Sequence, residues 1–260
     1  MRIVVKVGTS TLTHKSGQLN IFQFEHLCKV LSDLKNAGHE IVLVSSGAIG
    51  MGVGKLFLSG RPSDMPTKQA AAAVGQCELM YLYDRQFSEY NHVVAQILVT
   101  GEEMKQPELR TNFENTLGRL LELKALPIIN ENDTVATEEI AVGDNDTLSA
   151  IVATGIHADL LVLLSDVEGL YSSDPRKDPD AKVIPVIEEL TPEIMALGGD
   201  AGSGLGTGGM RTKLTAAEIA TEGGVEMVIS DGAKPELLYD IIDGKPVGTR
   251  FLKKGDGHDS

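Results

Sequence analysis

The chain has 260 residues, 42% of them hydrophobic and 23% charged, with a formal net charge of −14. That composition supports a sizeable core and excludes a non-specific nucleic-acid binder, which needs a basic surface. No apolar run approaches the ~20 residues of a membrane-spanning helix, and Lys6 interrupts the apolar start of MRIVVKVGTS too early for a signal peptide.

In chain order, Ile3–Val7 reads as a strand with Lys6 near its end, followed by a Gly8-Thr9-Ser10 turn. Ile21–Ala37 has helical periodicity, and Glu40–Val44 is a second strand, ending in SSGAIG. Thr67–Tyr90 is helical and His92–Val99 a third strand; Leu109–Lys124 is helical and Leu126–Ile129 a fourth strand, ending in NENDT. Thr147–His157 is a helix behind VGDNDTLSA, and Leu160–Leu164 a strand ending in SDVEGLY. Tyr171–Gly209 is irregular and holds an exposed loop, DPRKDPDAK, before the helix Met210–Glu222 and the strand Val225–Ile229. The strands are apolar on consecutive residues, as in a sheet buried on both faces, and they alternate with helices. The expected fold is α/β, a mostly parallel sheet with helices on both sides. One domain is expected over 1–253, with 254–260 a flexible tail. Cys28 and Cys77 fall in helical stretches and the six histidines show no ligand spacing, which suits a reduced, cytoplasmic protein without a metal cluster.

Parallel sheets bind ligands beyond the carboxyl ends of their strands. Four polar clusters follow such ends here, so they converge on one rim. GLGTGGMRTK, Gly204 to Lys213, satisfies G-x-G-x-x-G at Gly204, Gly206 and Gly209. The residues before it do not read as a strand, which argues against a dinucleotide fingerprint, and it lacks a P-loop's G-K-[ST] ending. What remains is bare amides, a helix start near Met210 and Lys213 in its first turn, a combination that attracts phosphate. The plainer alternative is a flexible loop with a solvated lysine. Lys6 is either a snorkelling rim lysine or a paired cation. Asp144 and Asp146, flanking Asn145, either cap a helix or orient lysines or a Mg²⁺-bound phosphate. NENDT is either a turn or a holder of an amino group, and SSGAIG either a helix cap or a set of donors for a carboxylate.

VVKVGTSTLT, IVLVSSGAIGMG, PIINENDTVAT, VGDNDTLSA, LLSDVEGLYSSDP and SGLGTGGMRTK together resemble the amino-acid kinase family, and the GTGGMRTK and INENDTVAT forms resemble its glutamate 5-kinase branch. The resemblance spans nearly the whole chain. It implies a three-layer αβα sandwich and transfer of phosphate from ATP, with Mg²⁺, to the side-chain carboxylate of L-glutamate, the first step of proline biosynthesis. It further implies feedback inhibition by proline and a homo-oligomer, dimer or tetramer. Residue by residue, it places glutamate on Ser46, Asp133 and Asn145. It places ATP on Lys6, Ser165, Asp166, Thr207, Gly208, Gly209, Met210, Arg211, Thr212 and Lys213. Lys6 and Lys213 would stabilise the phosphoryl group in flight, with Asp146 orienting both. Many bacterial relatives carry a C-terminal PUA module, which is not expected here. The competing readings are a family member with another acceptor (aspartate, acetylglutamate, carbamate or UMP), a dinucleotide-binding oxidoreductase using Asp231 for the ribose, and a non-catalytic sensor on the same fold.

Overall fold

The computed structural model describes residues 1–14, 18–135, 145–199 and 209–254. β1 (Arg2–Val7) leads through α1 (Thr9–Leu12) and α2 (Ile21–Asn36) to β2 (Glu40–Ser45). α3 (Ala48–Lys55) and α4 (Met65–Ser88) precede β3 (Val94–Val99), and α5 (Gly101–Lys105) and α6 (Pro107–Glu122) precede β4 (Leu126–Glu131). Then come α7 (Asn145–Gly155), β5 (Leu160–Ser165), β6 (Val186–Ile187), α8 (Pro192–Ala196) and α9 (Met210–Glu222). β7 (Glu226–Asp231), α10 (Leu237–Ile242) and β8 (Thr249–Phe251) complete the described chain.

Among the described residues the strands form one eight-stranded sheet in the order β3-β4-β2-β1-β5-β7-β8-β6. The pairs are parallel except β7 with β8. Alternate residues of each strand feed different cores, because successive side chains leave opposite faces. Val4, Val42, Val44, Leu161 and Leu163 pack with α6, α7 and α9. Ile3, Val5, Ile41, Leu43, Leu160 and Val162 pack with α2, α4 and α10. The sheet is thus sandwiched between two helical layers, as expected.

Helix starts explain most boundary differences. Asp64 accepts a hydrogen bond from the Thr67 N–H and starts α4 two residues before the expected Thr67. Pro107 opens α6 two residues before Leu109. α7 begins at Asn145 and not at Thr147, so Asn145 and Asp146 lie inside its first turn and do not cap it. The stretch expected to be irregular from Tyr171 onward contains β6 and α8. The two-residue β6 exists only through its pairing with β8, and α8 is a short helix capped by Thr191.

α3 was not expected, and it forms by packing on α4. A Cβ placed on Gly52 would lie 1.8 Å from the Ala71 carbonyl oxygen, and one on Gly75 would lie 1.7 Å from that of Ala48. The two helices therefore touch backbone to backbone. Gly75→Ala is expected to destabilise the fold by about 1–3 kcal/mol through overpacking. Gly118→Ala, at a helical position with open space around its Cβ, should be neutral or gain up to ~1 kcal/mol from helix propensity. Urea denaturation of the two variants measures the contrast, and equal stabilities would refute the close approach.

Candidate active site

Lys6 shares the strand parity of Val4, so it leaves β1 on the side of α7 and α9. A buried lysine there needs a counter-charge, and Asp146 supplies it from the first turn of α7. Lys6 Nζ lies 2.5 Å from Asp146 Oδ1, and Lys213 Nζ, from the first turn of α9, lies 3.0 Å from Asp146 Oδ2. The single hydroxyl proton of Thr212 is shared between the Gly209 carbonyl at 2.8 Å and the same Oδ2 at 3.2 Å. All three charged side chains are buried, Asp146 completely. Burial alone would push the Asp146 carboxyl up; Lys6 and Lys213 outweigh it and hold it below the ordinary carboxylate value.

Gly8 and the start of α9 adjoin the lysines. A Cβ on Gly8 would lie in ordinary van der Waals contact with Lys6 Nζ, at 3.7 Å. α9 starts at Gly209 with no side-chain cap, leaving first-turn amides at the positive end of the helix dipole. The half-buried Met210 side chain packs in part against the apolar core. Arg211 is exposed. Thr207 and Gly208, and with them Gly204, Gly206 and Asp144, lie outside the described residues. At the end of β5, the Ser165 hydroxyl donates to Asp166 Oδ1 at 3.0 Å. Among the described residues no hydrogen bond ties this pair to the two lysines.

Asn145, adjoining Asp146, builds the neighbouring half of the site. Its Nδ2 donates to Ser46 Oγ at 2.7 Å, to Asn130 Oδ1 at 2.9 Å and to the Ser45 carbonyl at 3.3 Å. Gly47 opens the helix behind Ser46 at φ 112°, a left-handed conformation that suits glycine. Asp133 lies just past β4 on the same rim, half-buried. Burial raises its carboxyl above the ordinary value, and the positive charge of Arg61 partly offsets this. No hydrogen bond among the described residues joins Asp133 to Ser46 or Asn145. Arg61 belongs to the α3–α4 connection, where Leu58, Arg61, Pro62, Asp64 and Thr67 line an open hollow.

The amino acid kinase family's sequence profile matches residues 1–231. The chain belongs to the amino acid kinase family. Curated relatives in this family include "Glutamate 5-kinase" of Clostridium perfringens, 52% identical over 260 residues, covering 98% of this chain and 97% of the relative. Another is "Glutamate 5-kinase" of Clostridium tetani, 54% identical over 249 residues, covering 96% and 93%. Among solved structures, the carbamate kinase of Giardia lamblia bound to AMP-PNP superposes with a TM-score of 0.70 at 18% identity, covering 97% of this chain and 98% of that one. That likeness shows the shared fold. The oxidoreductase reading loses its structural basis in this family fold: the last described element before the glycine loop is α8, a helix, where a dinucleotide fingerprint needs a strand.

Sequence reasoning had Asn130 only as the first residue of the NENDT cluster and missed Gln76; both stand directly behind Asn145. The Asn130 Nδ2 donates to Gln76 Oε1 at 2.9 Å. The available signal was a glutamine inside the otherwise small, apolar AAAAVGQ stretch of a helix.

Removing the shared carboxylate tests the electrostatic account. Asp146→Asn is expected to cost on the order of 3 kcal/mol at pH 7, because two buried lysines lose their counter-charge. The Asp146 pKa is depressed on folding, so its contribution is present above its unfolded value and lost as pH falls through the folded one. Urea unfolding at pH 7 and at pH 3 should therefore show a gap between wild type and Asp146→Asn that shrinks in acid.

Proposed function

We propose that residues 1–253 form one kinase domain that transfers the γ-phosphoryl group of ATP to the side-chain carboxylate of L-glutamate, giving ADP and L-glutamyl 5-phosphate. The observation that carries this reading is the convergence of Lys6 and Lys213 on Asp146. Two cations drawn from opposite ends of the chain are held at one point on the sheet rim.

The attacking carboxylate has an ordinary pKa near 4.3 and is ionised at neutral pH, so no general base is needed. One of its oxygens attacks the γ-phosphorus, the bond from that phosphorus to the bridging oxygen breaks, and ADP leaves with the electron pair. The obstacle is bringing an anion onto a polyanion, so positioning and positive charge supply the catalysis. Lys6 and Lys213 would offset the charge on the phosphoryl oxygens, while Asp146 keeps both ammonium groups aimed and apart. The Gly209–Lys213 amides, Ser165 and Asp166 would hold the nucleotide, together with Thr207 and Gly208. Among the described residues no group of three or more His, Cys, Asp or Glu side chains could cage a metal ion. Mg²⁺ would be carried in on the ATP phosphates and would neutralise part of their charge.

Ser46, Asn145 and Asp133 would bind the amino acid, with the Asp133 carboxylate taking its ammonium group. Relatives named for glutamate phosphorylation, at about half identity over nearly the whole chain, support glutamate as acceptor over the other acceptors. Feedback by proline and a homo-oligomer, dimer or tetramer, rest on the family resemblance. Cytoplasmic location fits two cysteines without a disulfide, Cys28 buried and Cys77 exposed. Among the described residues no helix is long and apolar enough to cross a membrane.

Hydroxamate trapping with Mg-ATP across glutamate, aspartate, acetylglutamate and carbamate tests the acceptor. Glutamate is expected to give the only strong signal, and an absent glutamate signal would refute the reading. Lys6→Ala and Lys213→Ala should each lower kcat on the order of 10²-fold or more, with the glutamate KM little changed. Asp133→Ala should instead raise the glutamate KM. Because burial raises the Asp133 carboxyl, it protonates at a higher pH than an ordinary carboxylate. Initial rates from pH 8 to pH 5 should thus show the glutamate KM rising as pH falls, and the slope should be flattened in Asp133→Ala.

A further inference from the structure

Side-chain amides have two interchangeable ends, and which end faces a ligand is decided by the partners on the other side. The amides behind Ser46 have no such freedom. The backbone N–H of Glu131 donates to Asn130 Oδ1 at 2.9 Å. An N–H cannot donate to an NH₂ group, so this bond fixes Asn130 with its oxygen toward Glu131 and its Nδ2 away. Two consequences follow in opposite directions.

Toward the rim, Asn145 must meet Asn130 Oδ1 with its own Nδ2, as it does at 2.9 Å. Its second proton is shared by Ser46 Oγ and the Ser45 carbonyl. Both protons of the Asn145 amide are then used on protein, and its Oδ1 is the end left for a ligand. Ser46 Oγ accepts from Asn145, so its hydroxyl proton points elsewhere and is a donor. Toward the interior, the Asn130 Nδ2 requires an acceptor. Gln76 Oε1 provides it at 2.9 Å, and the Gln76 Nε2 donates in turn to Gln96 Oε1 at 3.1 Å. Gln76 is buried, 8% exposed, and lies beside Gly75, whose close contact with Ala48 fixes the position of α4. Gln96 leaves β3 opposite Ile128 of β4 and is exposed.

We propose that Gln76 is a positioning residue for the amino-acid substrate. Through Asn130 it locks Asn145 and Ser46 into presenting one acceptor and one donor, the complement of an ammonium and a carboxylate group. This rests on the proposed binding of glutamate at Ser46 and Asn145. Gln76 touches neither substrate nor nucleotide in this scheme. Its loss leaves the buried Asn130 Nδ2 without an acceptor, and the amides can then rotate to a mixture of orientations. Substrate binding suffers, while the lysine pair on Asp146 is untouched.

The test compares wild type with Gln76→Met, which keeps length and removes the acceptor, and with Gln76→Glu, which keeps an acceptor. Thermal unfolding and initial rates at pH 8 are measured against glutamate and against ATP. Gln76→Met is expected to raise the glutamate KM about tenfold, with kcat and the ATP KM within about twofold of wild type. Gln76→Glu should keep the glutamate KM within about threefold. A merely structural role would lower melting temperature and active fraction and leave KM unchanged, which would overturn the inference. If Gln76→Met does not fold, Gln76→Leu, which also removes the acceptor, takes its place: a glutamate KM raised about tenfold upholds the inference, and an unchanged KM overturns it. Wild type that makes no glutamyl hydroxamate would overturn the functional reading itself, whatever Gln76 does. An active wild type with an unaltered KM in Gln76→Met overturns only the role of Gln76.

Discussion

A carboxylate removed from water is tolerated only where cations and donors take over the work of the solvent. Asp146 is wholly enclosed, and two lysines do that work for it. The requirement runs both ways, since each lysine is buried and depends on the same carboxylate. β1, α7 and α9 are therefore tied together at one point where the sheet meets its ligand rim. The two oxygens of one carboxylate keep two like charges close without letting them collapse onto each other. That arrangement suits a mobile group with several anionic oxygens better than it suits a single-charged ligand.

The two halves of the site are joined covalently. Asn145 and Asp146 are consecutive in the first turn of α7, yet their side chains serve different tasks. Asp146 turns toward the α9 side of the sheet. Asn145 turns toward the ends of β2 and β4, where Ser45, Ser46 and Asn130 meet it. A shift of α7 would move Asn145 and Asp146 together, which keeps their spacing constant. On the opposite face, α4 supports the rim twice over. Gln76 backs Asn130, and the Tyr83 hydroxyl, made hard to ionise by burial, lies 2.8 Å from Ser45 Oγ.

The strands and long helices were legible because doubly buried strands are continuous apolar runs and their helices carry clear periodicity. Lys6, Asp146 and Lys213 were legible as chemistry. Their meeting was not legible from spacing, because it depends on α7 packing beside α9. The family resemblance supplied that link. α3 escaped notice because Gly50, Gly52 and Gly54 make AIGMGVGK a poor helix by propensity. Tertiary packing overrides propensity there, and the same glycines that hide the helix permit its contact with α4. Gln76 was invisible for a related reason. Periodicity tells which face of a helix is buried, but not that a glutamine on it reaches an asparagine 54 positions away.

The most direct measurement is a crystal structure with ADP, Mg²⁺, glutamate and aluminium fluoride, whose planar or octahedral anion stands in for the phosphoryl group in transit. The account predicts that Lys6 Nζ and Lys213 Nζ both lie within ~3 Å of that anion's fluorides while Asp146 still contacts both. An anion touched by neither lysine, or by one with the other turned away from it, would contradict the account.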